Sequence, residues 1–462
     1  MVLKPAKPAR RYGAAWLSSL TIGYIGFAWT FNFKILPFSA AETFGRWAAV
    51  GMALAVFMAF VLKPVRTRGL PVIAFMLALA LSLPLAVEHI LSLIEYVRAF
   101  STFLVFLAFC RMTSLERFTT IRILLGTCVF VAVGSVVMAI LKLPEAYPLG
   151  DMSDEFGPSR LIGMAWHPGI LGYSCAIALA AAMWWPTISR RKFLTTGISI
   201  VVAGASLYCL VVADSRTGEV AALLTIATGF AMPWLERFCS TKIPRRFLKV
   251  VAVLAVLAMF LTPVLFGFLS GGQLTTTTYS DKGQSVRTAS VDEREKIWRD
   301  MPVAFASNPV TGTGFGADGP LVRGYNPTVG YVTDKRLPFY HSLLVNCLAT
   351  SGAIGFLAGL WLLLSGALSA VDRLSEVNIE RAKVDPLGIA NVRAAVLILM
   401  ATYPFAAAEG ALQGDYTSYV VGLIALATLY PLHSNKSNLP LHRPKPRQRR
   451  RAPAEQLAAA GS

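Results

Sequence analysis

Phe247-Leu-Lys-Val-Val-Ala-Val-Leu-Ala-Val-Leu-Ala-Met-Phe-Leu-Thr-Pro-Val-Leu-Phe-Gly-Phe-Leu-Ser270 is an unbroken apolar run with a single charge near its start. It stops at Gly271-Gly-Gln-Leu-Thr-Thr-Thr-Thr278, and the chain stays polar until His341, where a second apolar run, His341–Leu368, begins. About 20 apolar residues cross a bilayer core, so each run is long enough to do so. A polar stretch of this length between two membrane spans is functional or disordered. Its Trp, Phe, Gly and paired charges argue for order.

The rest of the chain repeats the pattern of Phe247–Ser270. Hydrophobic residues make up 55% of the 462 and charged ones only 15%, a balance that places the chain among integral membrane proteins. Twelve candidate spans lie near 14–33, 45–62, 70–87, 91–110, 120–141, 161–184, 193–213, 219–235, 247–270, 341–368, 391–407 and 416–432. No alternating ten-residue strand pattern occurs, so the backbone must be satisfied within helices. The basic N-terminus (Lys4, Lys7, Arg10, Arg11) precedes an apolar stretch without a small-residue cleavage site, and reads as an uncleaved first span. The six cysteines are scattered with no CxxC, which points to neither a zinc site nor a disulfide framework.

In a soluble chain the net charge of +18 would suggest a nucleic-acid partner, but here the positive-inside rule accounts for it and no nucleic acid is expected. If both termini are cytoplasmic, most of the 43 Lys and Arg residues fall on the cytoplasmic side. The outward connections carry few, and hold Glu145, Asp151, Asp154 and Glu155. The stretch 271–340 is then one large outer loop. The Arg-rich tail 433–462 is expected to be disordered at the anionic inner leaflet.

Polar residues gather on the outward side at four places. Asp214-Ser-Arg-Thr-Gly218 is a tight turn before a helix whose first N–H groups are unpaired and whose dipole is positive there. Asp214 or Ser215 can cap that helix, and Arg216 adds a two-pronged cation, so the turn suits a phosphate. The plainer alternative is a capped turn whose Arg reaches the headgroups. In Arg160-Leu-Ile-Gly-Met-Ala-Trp-His-Pro-Gly169, Arg160 is expected at the membrane edge and His167 about two turns deeper, beside the helix break at Pro168. Such a histidine faces a cavity or bonds to a neighbouring helix.

The other two places lie in the outer loop and at its end. In the loop, Glu293-Arg-Glu-Lys-Ile-Trp298 opens a segment with Ile297, Met301 and Phe305 four apart, a helical apolar face that either lies on the leaflet or caps the bundle. Arg287, Arg294 and Arg299 are extra cations there, solvated or substrate-binding. Where the loop returns to the membrane, Tyr340-His341-Ser342 places a histidine, a residue type that exchanges protons near neutrality, at the start of a helix. It can act as a general base or bond to a loop carbonyl. Glu95 and Arg98, i and i+3 in the fourth span, read first as a structural pair, with lining the site as the lesser alternative. Glu409 and Asp415 flank a short outer connection.

The order of these pieces resembles the bacterial O-antigen ligase and polymerase superfamily. The pieces are Arg160–Gly163 with His167-Pro168, Ser215–Gly218, Arg294–Trp298 with Asn308–Gly314, and His341–Leu344 with Ser351–Gly355. The resemblance implies an all-α integral membrane fold, GT-C-like, of about twelve transmembrane helices with one large periplasmic loop, in the bacterial inner membrane. It implies a metal-independent, cofactor-free glycosyltransferase whose donor is an undecaprenyl-diphosphate-linked glycan. Arg216 and Arg294 match the arginines that hold the diphosphate, His341 matches the histidine that assists the acceptor hydroxyl, and Arg160 matches more loosely. His167, Ser215, Arg287 and Tyr340 are expected to line the substrate. Where this chain has His341-Ser342, the family often has His-Asn. Polymerase and ligase share the pattern. Other polysaccharide assembly or export proteins are possible partners. A flippase of lipid-linked sugars and a scaffold in an export complex stand as alternatives.

Overall fold

The computed structural model describes residues 39–66, 68–86, 89–147, 160–165, 167–189, 191–270, 298, 301–302, 304–316, 341–377, 385–408 and 416–430. Among them are eleven α-helices and no strand. The helices are α1 Ser39–Phe60, α2 Leu70–Leu81, α3 His89–Arg111, α4 Ser114–Ile140, α5 Pro168–Ile188, α6 Lys192–Ala213, α7 Arg216–Cys239, α8 Lys242–Ser270, α9 Leu343–Glu376, α10 Pro386–Ala408 and α11 Tyr416–Leu429. Eight of them are long and apolar enough to cross a membrane. In hydrocarbon, a helix is the simplest way for an open chain to pair every peptide group. The first expected span, 14–33, the bulk of the outer loop, Glu409, Asp415 and the tail 433–462 lie outside the described residues.

Local chemistry sets several boundaries. Thr113 and Glu116 form a reciprocal capping box at the start of α4, six residues before the span expected from hydropathy. The span expected over 70–87 is shorter: α2 ends at Leu81 and a 3-10 turn, Leu83–Leu85, follows. The span expected over 161–184 is displaced. Residues 160–165 are not helical, and α5 begins only at Pro168, whose missing N–H costs nothing in a first turn.

The contacts sort the helix termini into two ends. One end is basic and laced with ion pairs. Lys63 meets Glu116 at 3.0 Å, Arg393 grips Glu236 through Nε and Nη2 at 2.6 and 2.8 Å, and Arg245 and Lys249 share Asp372. Buried arginines also cap helix C-termini there: Arg117 donates to Cys110 O, and Arg373 to Leu429 O and Tyr430 O. The opposite end holds the end of α4, the starts of α5, α7 and α9, and the end of α6.

At the centre are α5 and α10, the most buried of the eight membrane-length helices, whereas α8 is the least buried. The run Ala176–Ala182 lets neighbours approach α5 closely. Tyr173 Oη lies 3.0 Å from Thr402 Oγ1, and Trp184 Nε1 donates to Ala390 O at 2.8 Å, so the two helices are joined at two levels. All six cysteines are buried and none forms a disulfide.

Candidate functional site

Residues 160–165 run across the end of the bundle opposite the ion pairs. Leu161 N–H donates to Val212 O at 3.1 Å, at the last turn of α6. Ile162 and Gly163 N–H both reach Ala146 O, at 2.9 and 3.0 Å, and Met164 N–H reaches Ser135 Oγ at 2.9 Å. Gly163 has φ +54, and a Cβ there would lie 2.2 Å from Ser135 Oγ, which explains the glycine of the Arg-x-x-Gly piece.

Arg160 is half-buried and spends two guanidinium nitrogens on backbone. Nε donates to Ala213 O at 3.0 Å and Nη2 to Asp214 O at 2.8 Å. It thereby closes the C-terminus of α6 and fixes the turn that carries Arg216. His167 does not lie two turns inside a helix. It is the N-cap of α5, and its Nδ1 accepts from Gly169 N–H at 2.9 Å. The expectation failed because Arg160–Ala165 is apolar enough to read as membrane, while its peptide groups bond across to α4 and α6.

Asp214 does not cap α7 either. It is exposed, takes the left-handed conformation (φ 49) and terminates α6. Ser215 is the N-cap, buried, with Oγ accepting from Gly218 N–H at 3.3 Å. Gly218 and Gly172 face each other where α7 crosses α5. A Cβ on Gly218 would sit 3.1 Å from Gly172 Cα, and one on Gly172 would sit 2.3 Å from Ser215 Oγ. The spacing of Ser-Arg-x-Gly is therefore that of a cap, a forward-projecting cation and a helix crossing. Arg216 is exposed at the first position of α7. Glu219, not anticipated from the sequence, is exposed in the same first turn and offsets part of the positive potential.

His341 is half-buried, with φ 48, and immediately precedes Ser342, the N-cap of α9. Ser342 Oγ is wholly buried and makes no hydrogen bond among the described residues, so it does not close the helix end as a serine cap would. Arg287, Arg294 and Tyr340 lie outside the described residues. Farther along the loop segment with the helical apolar face, Met301 is fully buried and the Phe305 ring meets Phe268 of α8 edge-on at 6.1 Å. That part docks on protein rather than lipid.

The largest feature that the sequence did not disclose is a break in α9. Gly352 has φ 62 and ψ −161 inside the helix, so the ladder is interrupted. The loop Asn308–Gly314 repairs it. Ala353 N–H donates to Pro309 O at 2.8 Å and Ile354 N–H to Val310 O at 3.2 Å. In return Gly314 N–H donates to Thr350 O at 2.9 Å and Thr313 Oγ1 to Ala349 O at 3.2 Å. The Asn-Pro-x-x-Gly-x-Gly and Ser-Gly-Ala-Ile-Gly pieces are thus two halves of one backbone construction. Thr350, Ser351 and Gly352 are all buried, and non-helical backbone in a membrane protein is tolerated where protein surrounds it.

These pieces fall within one family match. The family model described as O-antigen ligase matches residues 201–360. This segment is O-antigen ligase-like. No curated protein matches the chain. The matched segment, about a third of the chain, runs from α6 to the second half of α9. It contains Ser215, Arg216, the stitched loop, His341 and Gly352, and leaves out Arg160 and His167. It points to function of the ligase and polymerase type in polysaccharide biosynthesis, carried by a multi-pass membrane protein, and gives no support to the transporter reading. Among the described residues no three His, Cys, Asp or Glu side chains converge as metal ligands.

Proposed function

We propose that the protein is a glycosyltransferase of the periplasmic face of the bacterial inner membrane. It acts on undecaprenyl-diphosphate-linked glycans, either joining repeat units into exopolysaccharide or O-antigen, or ligating O-antigen to lipid A core. One observation carries the reading: inside the O-antigen ligase match, Arg216 and His341 stand at the starts of α7 and α9, two helices that pack on one another.

The start of α7 offers the positive end of its dipole and the planar fork of Arg216, a set that suits the diphosphate. Arg294, which matches the second arginine position of the resemblance, is assigned to the same diphosphate. These cations stabilise the charge that grows on the diphosphate as the glycosidic bond breaks. The acceptor hydroxyl attacks the anomeric carbon, the bonding electrons leave with the diphosphate, and His341 takes the hydroxyl proton. One displacement without a covalent intermediate inverts the anomeric centre. With the basic end of the bundle cytoplasmic, both termini and the tail 433–462 lie inside and the loop 271–340 outside.

The test is to incubate purified protein with an undecaprenyl-diphosphate oligosaccharide, alone and with lipid A core. Longer lipid-linked chains from donor alone identify a polymerase, and transfer only with the core identifies a ligase. No new glycosidic bond in either reaction overturns the proposal.

A further inference from the structure

α3 carries a polar stripe that the donor site does not use. Ser92, Glu95, Ala99 and Thr102 recur at helical spacing and share one face. Ser92, Ala99 and Thr102 are buried, whereas Ile90, Leu93 and Phe100 on the opposite face are exposed. Glu95 therefore points into the protein. Even so, its side chain keeps 20% exposure, and that of its ion-pair partner Arg98 keeps 17%. Charges in a membrane span face the bundle interior or a water-filled cavity, because lipid disfavours them strongly. The pair is thus both on the inward face of α3 and still part-exposed, as a polar site within the bundle requires.

The backbone at Gly314 and Gly316 packs closely against this face. Gly316 (φ +76) comes so close that a Cβ would lie 2.7 Å from Glu95 Cβ and Cγ. Gly314 (φ +117) lies against Ala86 and Ser92, where a Cβ would be 2.9 Å from Ser92 Oγ. Ser92 Oγ is wholly buried and makes no hydrogen bond among the described residues. Phe315 N–H donates to Ser82 Oγ at 3.0 Å and holds the loop there. A part-exposed carboxylate and guanidinium side by side are what sugar hydroxyls bind.

The position also matters. α9, which begins just after His341, packs on α2 on one side and α7 on another. α3 packs on α1, α2 and α11, whereas α7 packs on α5, α6, α8, α9 and α10. The diphosphate site at Arg216 and the Glu95–Arg98 pair thus stand on helices that do not pack on one another, linked through α2 and the helix that His341 heads. A displacement at the anomeric carbon needs its nucleophile on the face opposite the leaving group.

We propose that Glu95 and Arg98 form the acceptor-binding site. Glu95 accepts hydrogen bonds from hydroxyls of the acceptor glycan and Arg98 donates to its oxygens, while the proton of the reacting hydroxyl goes to His341. This rests on the glycosyl-transfer reading above. The acceptor is either the sugar end of a second lipid-linked glycan or the sugar of a lipid A core.

The test uses the full chain in phospholipid nanodiscs, undecaprenyl-diphosphate oligosaccharide at saturation as donor, and each of the two acceptors varied in turn. Whichever acceptor the wild type uses, Glu95→Gln is expected to raise its KM about tenfold or more. Binding of undecaprenyl diphosphate alone should be unchanged. The exchange Glu95→Arg with Arg98→Glu rebuilds the ion pair, and is expected to restore the unfolding midpoint but not the acceptor KM. An unchanged acceptor KM in Glu95→Gln, a parallel loss of undecaprenyl diphosphate binding, or full recovery of KM in the exchanged pair would each show a purely structural pair and overturn the proposal. A wild type that forms no glycosidic bond would instead remove the transfer reading, and this site with it.

Discussion

Arg216 offers what a lysine cannot copy, a flat fork that meets two phosphate oxygens at once. Arg216→Lys keeps the charge and loses that geometry. Loss of a charge-assisted bond of about 1.5–3 kcal/mol lowers glycan transfer roughly ten- to hundredfold. Arg191→Lys, at the basic end, should match wild type in the same assay, and equal tolerance at both positions would remove Arg216 from the site. His341 acts later, on the acceptor proton. His341→Ala is expected to lower turnover by about 10²–10⁴ while undecaprenyl diphosphate still binds, as measured by titration of the same variant. Lost binding would make His341 a phosphate ligand instead.

Glycines decide how the elements meet. At Gly352 of α9, any side chain must adopt a conformation that glycine alone takes easily, and its Cβ would lie 2.5 Å from Val310 C and O. The conformation alone costs about 1–3 kcal/mol. Gly352→Ala is therefore expected to lower the unfolding midpoint in detergent clearly. It should also loosen the stitched loop, seen as faster hydrogen exchange at Gly314 and Ala353. Gly218→Ala should destabilise by about 1–3 kcal/mol, because a Cβ would lie 2.6 Å from Leu210 Cδ2 and 3.1 Å from Gly172 Cα. Gly126→Ala in α4 is the control: nothing lies within 4 Å of a Cβ there, and its midpoint should stay at or slightly above that of the wild type.

At the scale of the whole molecule, the two ends of the bundle make a topological prediction. Lys63, Arg117, Arg245, Lys249, Arg373 and Arg393 collect at one end, and the Ser215 turn and His341 at the other. With the basic end cytoplasmic, Glu145→Cys should react with an impermeant thiol reagent in intact spheroplasts, and Ser240→Cys only after lysis. Both positions are exposed and all six native cysteines are buried, so background labelling should be low. The reverse pattern would place the candidate site on the cytoplasmic side and end the periplasmic reading.

The sequence by itself determined that the chain is helical and membrane-embedded, because runs such as Phe247–Ser270 leave the backbone no partner but its own helix. It also placed Ser215, Arg216 and His341 at helix starts, since a cap and its first turn are local and read from adjacent residues. Only the tertiary structure decided where α5 begins, what Arg160 holds and why α9 is broken. Arg160 bonds to carbonyls of residues 213 and 214, and Gly352 is tolerated because Pro309 and Val310 lie beside it. Those partners are tens of residues away. Hydropathy and helical period report a residue's neighbours along one element, while a hydrogen bond between distant peptides leaves its trace only in the packing that brings them together.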